Sequence, residues 1–284
     1  MKKMKVILAG AILLTSGIVR AQDSTKKATL NVSGSVDAYY RYNFSNAKDS
    51  LRTNNYTSFT NSQNSFELGM ASVKLDASIG KAGATVDLGF GKRAEEFSYN
   101  DSKTMAAIKQ AYLYYAPSDK VKFTLGKWGT HVGYELLDAY LNRNYSMDYM
   151  FSYGPFFHTG LKADITMGSG FGLMVGVVNP TDYSSASFAK KNFIAQFSGG
   201  SKSGKFKGYL NYVSGKDIND NGINQVDLVL TGTVTSKFSI GYNGTIKSVE
   251  SCGGQYKFIV GFSAVPECGS NYCIWPYVTW GVFR

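Results

Sequence analysis

The chain has 284 residues, of which 14% are aromatic and only 5 are proline, and its formal net charge is +10. The cationic side chains are scattered rather than clustered, so nucleic acid is not expected as a partner. Abundant aromatic residues and 31 glycines with few prolines indicate many β-strands joined by tight turns.

Residues 1–21 predict a cleaved secretory signal peptide. Three lysines stand within the first five residues, an apolar run then extends to Val19, and Ala21 supplies the small residue before the cleavage point. Without this segment, lysine plus arginine falls from 30 to 26 against 20 acids, so the net charge becomes +6. No later run reaches the roughly 20 apolar residues that a membrane-spanning helix needs. The mature chain is therefore expected to cross a membrane as strands or not at all.

The first predicted strand runs from Leu30 to Phe44. Its even positions are apolar, aromatic or glycine and most odd positions are polar, which is the two-residue period of a strand with one apolar and one polar face. About 9 to 11 residues cross a bilayer as a tilted strand, and this segment exceeds that length. Asp37 and Arg41 lie on the polar face.

Ten further strands with the same period follow. They cover residues 66–79, 84–90, 111–115, 121–125, 157–167, 171–177, 193–197, 206–212, 226–234 and 238–246. A change of phase predicts a bulge near Met70. Short turns alternate with long polar connections, among them residues 45–65 and a charged loop from Lys92 to Lys103.

This pattern predicts an all-β transmembrane antiparallel β-barrel with short turns at one rim, long loops at the other, an apolar band outside and a polar lumen. A closed barrel also leaves no unpaired backbone in lipid. A secreted β-sandwich would alternate in the same way, and periodicity alone does not exclude it. In a barrel the polar face supplies the candidate pore-lining residues, which are Asp37, Arg41, Asp87, Lys122, Lys162 and Asp164.

The most distinctive stretch lies between the fifth and sixth predicted strands. It contains, in order, Gly126-Lys127-Trp128-Gly129-Thr130, Gly133-Tyr134-Glu135, Asn144-Tyr145-Ser146 and Pro155-Phe156-Phe157-His158-Thr159-Gly160. This order of motifs resembles the OmpL-like, porin-2 type β-barrel porins, and the resemblance extends from the signal peptide to about residue 248. It implies an outer-membrane channel for small solutes, and it carries over no catalytic or ligand residues.

The same stretch, about thirty residues, is too long for a turn and too aromatic for a flexible loop. We hypothesise that part of it folds inward and narrows the pore, which would set Lys127, Glu135 and Arg143 in the field that selects solutes by charge. The alternative is an outward loop packed on its own aromatic residues.

Other chemistry is not expected. His131 and His158 lack metal-binding spacing, and no nucleophile motif marks a serine, so neither a metal site nor enzymatic activity is predicted. Residues 217–222 match half of a calcium loop, but Leu228 stands where the required acid should be, which favours a polar external turn. No cofactor is expected. The expected partners are outer-membrane lipid, small polar solutes and further copies of the chain as a homo-oligomer.

Residues 249–284 depart from the pattern, and we separate them from a barrel domain at 22–248. All three cysteines and two of the three tryptophans lie there, and the alternation fades. In one interpretation, the reading frame of the gene shifted near Gly253. If suitable synonymous codons are assumed for this region, reading them one nucleotide out of phase gives a sequence of two alternating strands joined by an Asp-Pro turn. The barrel would then be incomplete at its C-terminal end. In the other, the ending is native and Trp280 and Phe283 lie at the membrane interface.

Together these features predict a single-domain outer-membrane barrel that acts as a porin for small hydrophilic solutes. The alternative function is a non-transporting surface protein, either an adhesion barrel or a secreted β-sandwich. The positive net charge of the mature chain favours a preference for anions.

Overall fold

The computed structural model describes residues 27–45, 48, 55, 57–236, 238–250, 256–268 and 280–283, the last two ranges as backbone strands. The predicted signal peptide at residues 1–21 lies outside these ranges, as does the position near Gly253. Within the described part of the chain, none of the helices is long and apolar enough to span a membrane.

Thirteen strands form one antiparallel sheet in which each strand pairs with its neighbours in chain order. They are β1 Thr29–Arg41, β2 Ser65–Ile79, β3 Ala82–Phe90, β4 Ile108–Ser118, β5 Val121–Gly129, β6 Phe157–Gly168, β7 Phe171–Val178, β8 Asn192–Gly200, β9 Phe206–Lys216, β10 Gly222–Thr235, β11 Phe238–Glu250, β12 Tyr256–Cys268 and β13 Trp280–Phe283. The eleven strands predicted from the sequence correspond to β1 to β11. A single meandering sheet differs from the two packed sheets of the alternative sandwich.

The connections alternate in length as predicted from β1 to β8. Short turns join β2 to β3, β4 to β5 and β6 to β7, whereas long segments join β1 to β2, β3 to β4, β5 to β6 and β7 to β8. The alternation does not continue to β11, because the connection from β9 to β10 at residues 217–221 is as short as the one from β8 to β9, and β10 to β11 is again a short turn. The segment from Lys92 to Lys103 is not the extended charged loop expected from its composition. It begins with the helix α1 Lys92–Phe97, and a 3-10 helix follows at Lys103–Ala107. Arg93, Ala94 and Phe97 are buried, which gives α1 an inner face.

The strands present opposite chemistry on their two faces. Large apolar side chains are exposed on the outer face, including Leu30, Val36, Leu75, Leu113, Leu125, Leu161, Val177, Leu210, Val226, Leu228, Leu230, Ile240 and Ile246. Polar side chains are buried on the inner face, including Ser72, Thr85, Asp87, Thr124, Asn211, Gln225, Asp227, Asn243 and Thr245. A soluble protein would show the reverse arrangement. An apolar exterior around a polar interior is the pattern of a barrel whose outer surface lies in lipid.

Two β-bulges change which side chains point inward. Asp37 pairs with Met70 and Ala38 with Leu68, so Gly69 is the extra residue, and the bulge predicted near Met70 is confirmed. A second bulge lies in β4, where Asp87 pairs with Gln110 and Leu88 with Ile108. Lys109 is the extra residue there. The bulge turns its side chain away from the outer face that simple alternation assigns to it.

The ends of the sheet do not meet within the described residues. β1 pairs only with β2 and β13 only with β12, so the sheet described is curved but not closed. β11 continues to Glu250, past the boundary placed at residue 248, and β12 pairs with it along thirteen positions. Whether residues 249–284 form a separate unit stays a prediction.

Candidate functional site

The segment from Thr130 to Phe156, between β5 and β6, crosses the interior of the curved sheet. Its Tyr145 hydroxyl donates to Asp37 Oδ1 of β1 at 2.8 Å. Its Gly133 backbone N–H donates to Asp227 Oδ2 of β10 at 2.9 Å. Since β1 and β10 are far apart in the strand order, a segment that touches both lies across the lumen. We call it the inward segment. Its course agrees with the hypothesis of an inward fold and differs from an outward loop packed on its own aromatic residues.

Arg93 of α1 fastens one side of the inward segment. Its side chain is fully buried, and its two terminal nitrogens donate to the carbonyl oxygens of Leu137 at 3.1 Å and Tyr145 at 2.9 Å. Its Nε lies 3.7 Å from Asp37 Oδ2, and the guanidinium lies 5.1 Å from the centre of the Tyr145 ring. Gly69 leaves room here, because a Cβ at that bulge would lie 2.5 Å from the Asp37 carboxylate.

Asp227 fastens the opposite side. Besides the Gly133 N–H, its carboxylate accepts from Asn211 Nδ2 at 2.7 Å and Asn243 Nδ2 at 2.6 Å. Gln196 donates to Asn211 Oδ1 at 2.7 Å and extends the network to β8. Charge-assisted hydrogen bonds of this kind are stronger than neutral ones, so this cluster holds the segment against β9, β10 and β11.

Apolar side chains fill part of the lumen. Trp128, Val132, Met150, Met174, Val178, Ile194 and Val213 form a buried cluster between the inward segment and the inner faces of β7, β8 and β9. Such close packing leaves no water-filled passage between the packed side chains. Passage for a polar solute must therefore lie elsewhere in the lumen.

Beneath the inward segment, beside β1 to β4, lies a cavity with room for about 410 Å³ of solvent, lined by both charged and apolar side chains. Its charged lining residues are Lys74, Asp87, Lys109, Glu135 and Asp138. Lys109 Nζ lies 3.1 Å from Asp87 Oδ1 on the wall and 2.8 Å from Asp138 Oδ1 on the inward segment. We call these three residues the loop-side triad. It joins the segment to β3 and β4.

Three of the six predicted pore-lining residues come together near the short turns. Asp164 Oδ1 lies 3.2 Å from Lys162 Nζ, and its Oδ2 lies 3.7 Å from Lys122 Nζ. We call this group the turn-side triad. Asp37 and Asp87 take part in the contacts described above, and Arg41 donates to the Ser62 carbonyl at 2.6 Å. That these six residues line a conducting path stays a prediction.

The three predicted constriction residues have different neighbours. Lys127 is buried, with its ammonium 2.9 Å from Asp101 Oδ2 and 3.8 Å from the centre of the Phe157 ring. Arg143 lies against β11, since a Cβ at Gly241 would be 2.5 Å from its Nη1. Glu135 is buried beside Asp148. Their joint role in selecting solutes stays a prediction.

Burial changes the protonation of the Glu135 carboxyl. Its oxygens accept from the Asp148 backbone N–H at 2.9 Å and from the Tyr134 hydroxyl at 3.3 Å. Burial, and secondarily the charge of Asp148, raises the pKa of Glu135 to about 8. The carboxyl is therefore largely protonated at neutral pH. In the same segment, burial lowers the pKa of His131 to about 4, so that side chain is neutral.

Sequence reasoning missed several residues of the site. Arg93 lies in a stretch that was interpreted as a charged loop. The two-residue alternation gives no indication of the helix α1, whose inner face carries Arg93. Lys109 stands in phase with the outward residues of β4 and turns inward only because of the bulge. Asp138 lies in the distinctive stretch between the fifth and sixth predicted strands, but its partner on β4 was not predictable. Asp227 alternates in phase with the inner face of β10 and could have been found by the two-residue period alone.

Comparisons with known proteins agree with this architecture. The outer membrane channel DcaP of Acinetobacter baumannii has a similar fold, with a TM-score of 0.56 and 13% sequence identity, covering 89% of this chain and 78% of that channel. A BenF-like porin from Pseudomonas fluorescens Pf-5 matches with a TM-score of 0.44 and 12% identity, covering 84% of this chain and 64% of the porin. At 13% identity the likeness to the DcaP channel concerns the fold alone, and the lower score of the BenF-like porin adds no argument. The search of the curated proteins found no match.

A family model gives the assignment. The model described as "Putative beta-barrel porin-2, OmpL-like" matches residues 29–263, which includes the strands β1 to β11 and the whole inward segment. The match extends beyond residue 248, where the resemblance noted in the sequence faded. By this match, the chain belongs to the OmpL-like β-barrel porin-2 family of outer-membrane porins.

Proposed function

We propose that this porin lets small hydrophilic solutes diffuse through a lumen that the inward segment narrows. The observation that carries the proposal is the combination of an apolar exposed outer face, a polar inner face and a segment fastened at both sides across the interior. A pore-forming barrel needs the first two features, and size selection follows from the third.

The proposal includes no enzymatic step. Diffusion needs only a water-filled path and a lining that exchanges hydrogen bonds with the solute as it passes. The cavity beside the loop-side triad offers such groups on one side, with Ser33, Ser72 and Gln110 next to the charged residues. The native partners in this proposal are the lipids of the outer membrane and small polar solutes.

Liposome swelling tests the proposal. Protein refolded into liposomes is diluted into isotonic solutions of neutral sugars of increasing size, with protein-free liposomes and heat-denatured protein as controls. We expect rapid swelling for the smallest sugars and a sharp decline as size increases. Folded protein, verified by a shift in gel mobility on heating, that gives no swelling above protein-free liposomes would refute the channel.

The role of Lys127, Glu135 and Arg143 in the constriction needs separate variants. Arg143→Met and Glu135→Gln keep side-chain volume while removing a charge or an ionisable group. If these residues shape the selecting field, the reversal potential measured across a salt gradient changes near neutral pH for Arg143→Met, and for Glu135→Gln only in alkaline solution, where the Glu135 carboxyl is ionised. Unchanged conductance and selectivity in both variants under these conditions would remove Glu135 and Arg143 from the constriction.

A further inference from the structure

We infer that this pore prefers small cations, and that the preference is set by the surplus carboxylate of the loop-side triad on the β3–β4 wall. The inference rests on the proposed channel function and names the class of solute. It runs against the composition, because the net charge of the mature chain is positive.

The position of the open cavity decides which charges matter. The apolar cluster around Trp128 packs next to β7, β8 and β9. The cavity lies next to the wall formed by β1 to β4 and beneath Glu135 to Leu141 of the inward segment. An ion that enters this cavity passes the β1–β4 wall, and the charges on that wall act on it at short range.

The charges around the cavity sum to an excess of acid. Lys74 is paired with Asp76 at 3.2 Å, which leaves that pair neutral. Lys109 is shared between Asp87 and Asp138, so the triad carries two negative charges and one positive charge. Glu135, largely protonated at neutral pH, adds a further negative charge only in alkaline solution. The wall is therefore acidic by about one charge near neutral pH.

The basic excess lies at the other end of the lumen. In the turn-side triad, two lysines share the single carboxylate of Asp164. Lys122 is the second residue of β5 after its short turn, whereas Lys109 is the second residue of β4 after the long connection. The two triads thus stand near opposite rims. The turn-side triad is also more exposed, with 49% of the Lys122 side chain accessible against 4% for Lys109.

Burial makes the loop-side charge the stronger of the two. A charge in a site shielded from water acts through a lower effective dielectric constant and is screened less by salt. Asp87 and Lys109 of the loop-side triad are nearly inaccessible and border the cavity, so their field acts on ions inside it. In the turn-side triad Lys122 is exposed and Lys162 is half-buried, so solvent ions screen that triad more strongly. Permeating cations are favoured at the narrow part of the path.

Reversal potentials in planar lipid bilayers under a potassium chloride gradient test the inference. We expect the wild-type channel to be cation-selective and Asp138→Asn to lower the potassium-to-chloride permeability ratio by about twofold or more. Lys162→Met, which removes one positive charge from the turn-side triad, should raise that ratio. Asp220→Asn is the matched control, because this exposed carboxylate pairs with Lys190 outside the cavity and should leave the ratio unchanged.

The cation preference and the channel function can fail separately. A conducting channel that prefers chloride, or one whose selectivity is unaffected by Asp138→Asn, overturns the inference and leaves the proposed channel intact. Folded protein that never conducts would refute both. A heat-dependent change in gel mobility confirms that each variant is folded before its selectivity is compared.

Discussion

At the scale of single residues, the inward segment depends on a few buried charges. Arg93 joins α1 to the carbonyl groups of Leu137 and Tyr145 and stands beside Asp37. Buried ionic groups of this kind contribute little net stability when satisfied but are costly to leave half paired. The position of the segment should therefore be sensitive to Arg93 and insensitive to the charges on the outer loops.

We predict that Arg93→Met lowers the free energy of unfolding by about 3 kcal/mol or more, because it removes two hydrogen bonds and leaves Asp37 without its cation. Urea unfolding of the refolded protein, followed by tryptophan fluorescence, measures this change. Lys190→Met serves as the control, since its exposed ion pair with Asp220 should have no measurable effect. Equal stability of the two variants would contradict the role given to Arg93.

The raised pKa of Glu135 predicts a pH dependence. Because its pKa is about 8 in the folded state against an ordinary value of 4.5, the folded state binds more protons between these values. The free energy of unfolding should therefore decrease as pH rises through that interval. Asp148 and the Tyr134 hydroxyl are the groups that contact this carboxyl.

Glu135→Gln should remove this part of the pH dependence, since the amide retains a hydrogen-bond acceptor and does not ionise. Thermal unfolding at about pH 5 and about pH 9 compares the two proteins. We expect the wild type to lose more stability than the variant over this range. The exposed Glu95→Gln is the matched control. A wild-type profile that coincides with that of Glu135→Gln would show that Glu135 titrates normally.

At the scale of strands, the outer face determines whether the sheet is stable in lipid. Leu228 lies at the middle of β10 and Val234 is next to its last residue, and both point outward. We predict that Leu228→Arg costs about 2–4 kcal/mol in a bilayer, whereas Val234→Arg costs about 1 kcal/mol or less because it lies near the interface. Reversible unfolding from lipid vesicles measures both. Equal costs at the two positions would be inconsistent with a membrane-spanning β10.

Most of the strands were predictable from sequence, whereas the site was predictable only in part. Two-residue alternation depends on local side-chain order, so it located β1 to β11 and the bulge at Gly69, but not β12 and β13, which lie where the alternation fades. The course of the inward segment depends on contacts between residues far apart in sequence, such as Tyr145 with Asp37 and Gly133 with Asp227. The inward orientation of the Lys109 side chain depends on a bulge that the sequence of β4 does not indicate. Neither follows from local periodicity.

At the scale of the whole molecule, net charge and local charge lead to different expectations. The positive total favours anions, but the loop-side triad, with its surplus carboxylate, borders the cavity beside the β1–β4 wall. Screening limits distant surface charges to a small effect on a permeating ion. The arrangement of charge around the path should therefore outweigh the composition of the chain.

The proposed function depends on the inward segment narrowing a lumen that would otherwise be open. The backbone N–H of Thr130 donates to the Phe156 carbonyl at 2.9 Å, so the two ends of the segment are adjacent and a short glycine-serine linker can replace residues 131–153. Such a variant tests the narrowing without extending the strands.

Single-channel conductance of the wild type and of this linker variant is the most direct test. We predict discrete conductance steps for the wild type and steps at least about twofold larger for the variant, because the narrowest part of a pore dominates its resistance. Equal steps would contradict the narrowing role of the segment. The absence of steps in both, with each protein folded in the bilayer, would contradict the pore itself.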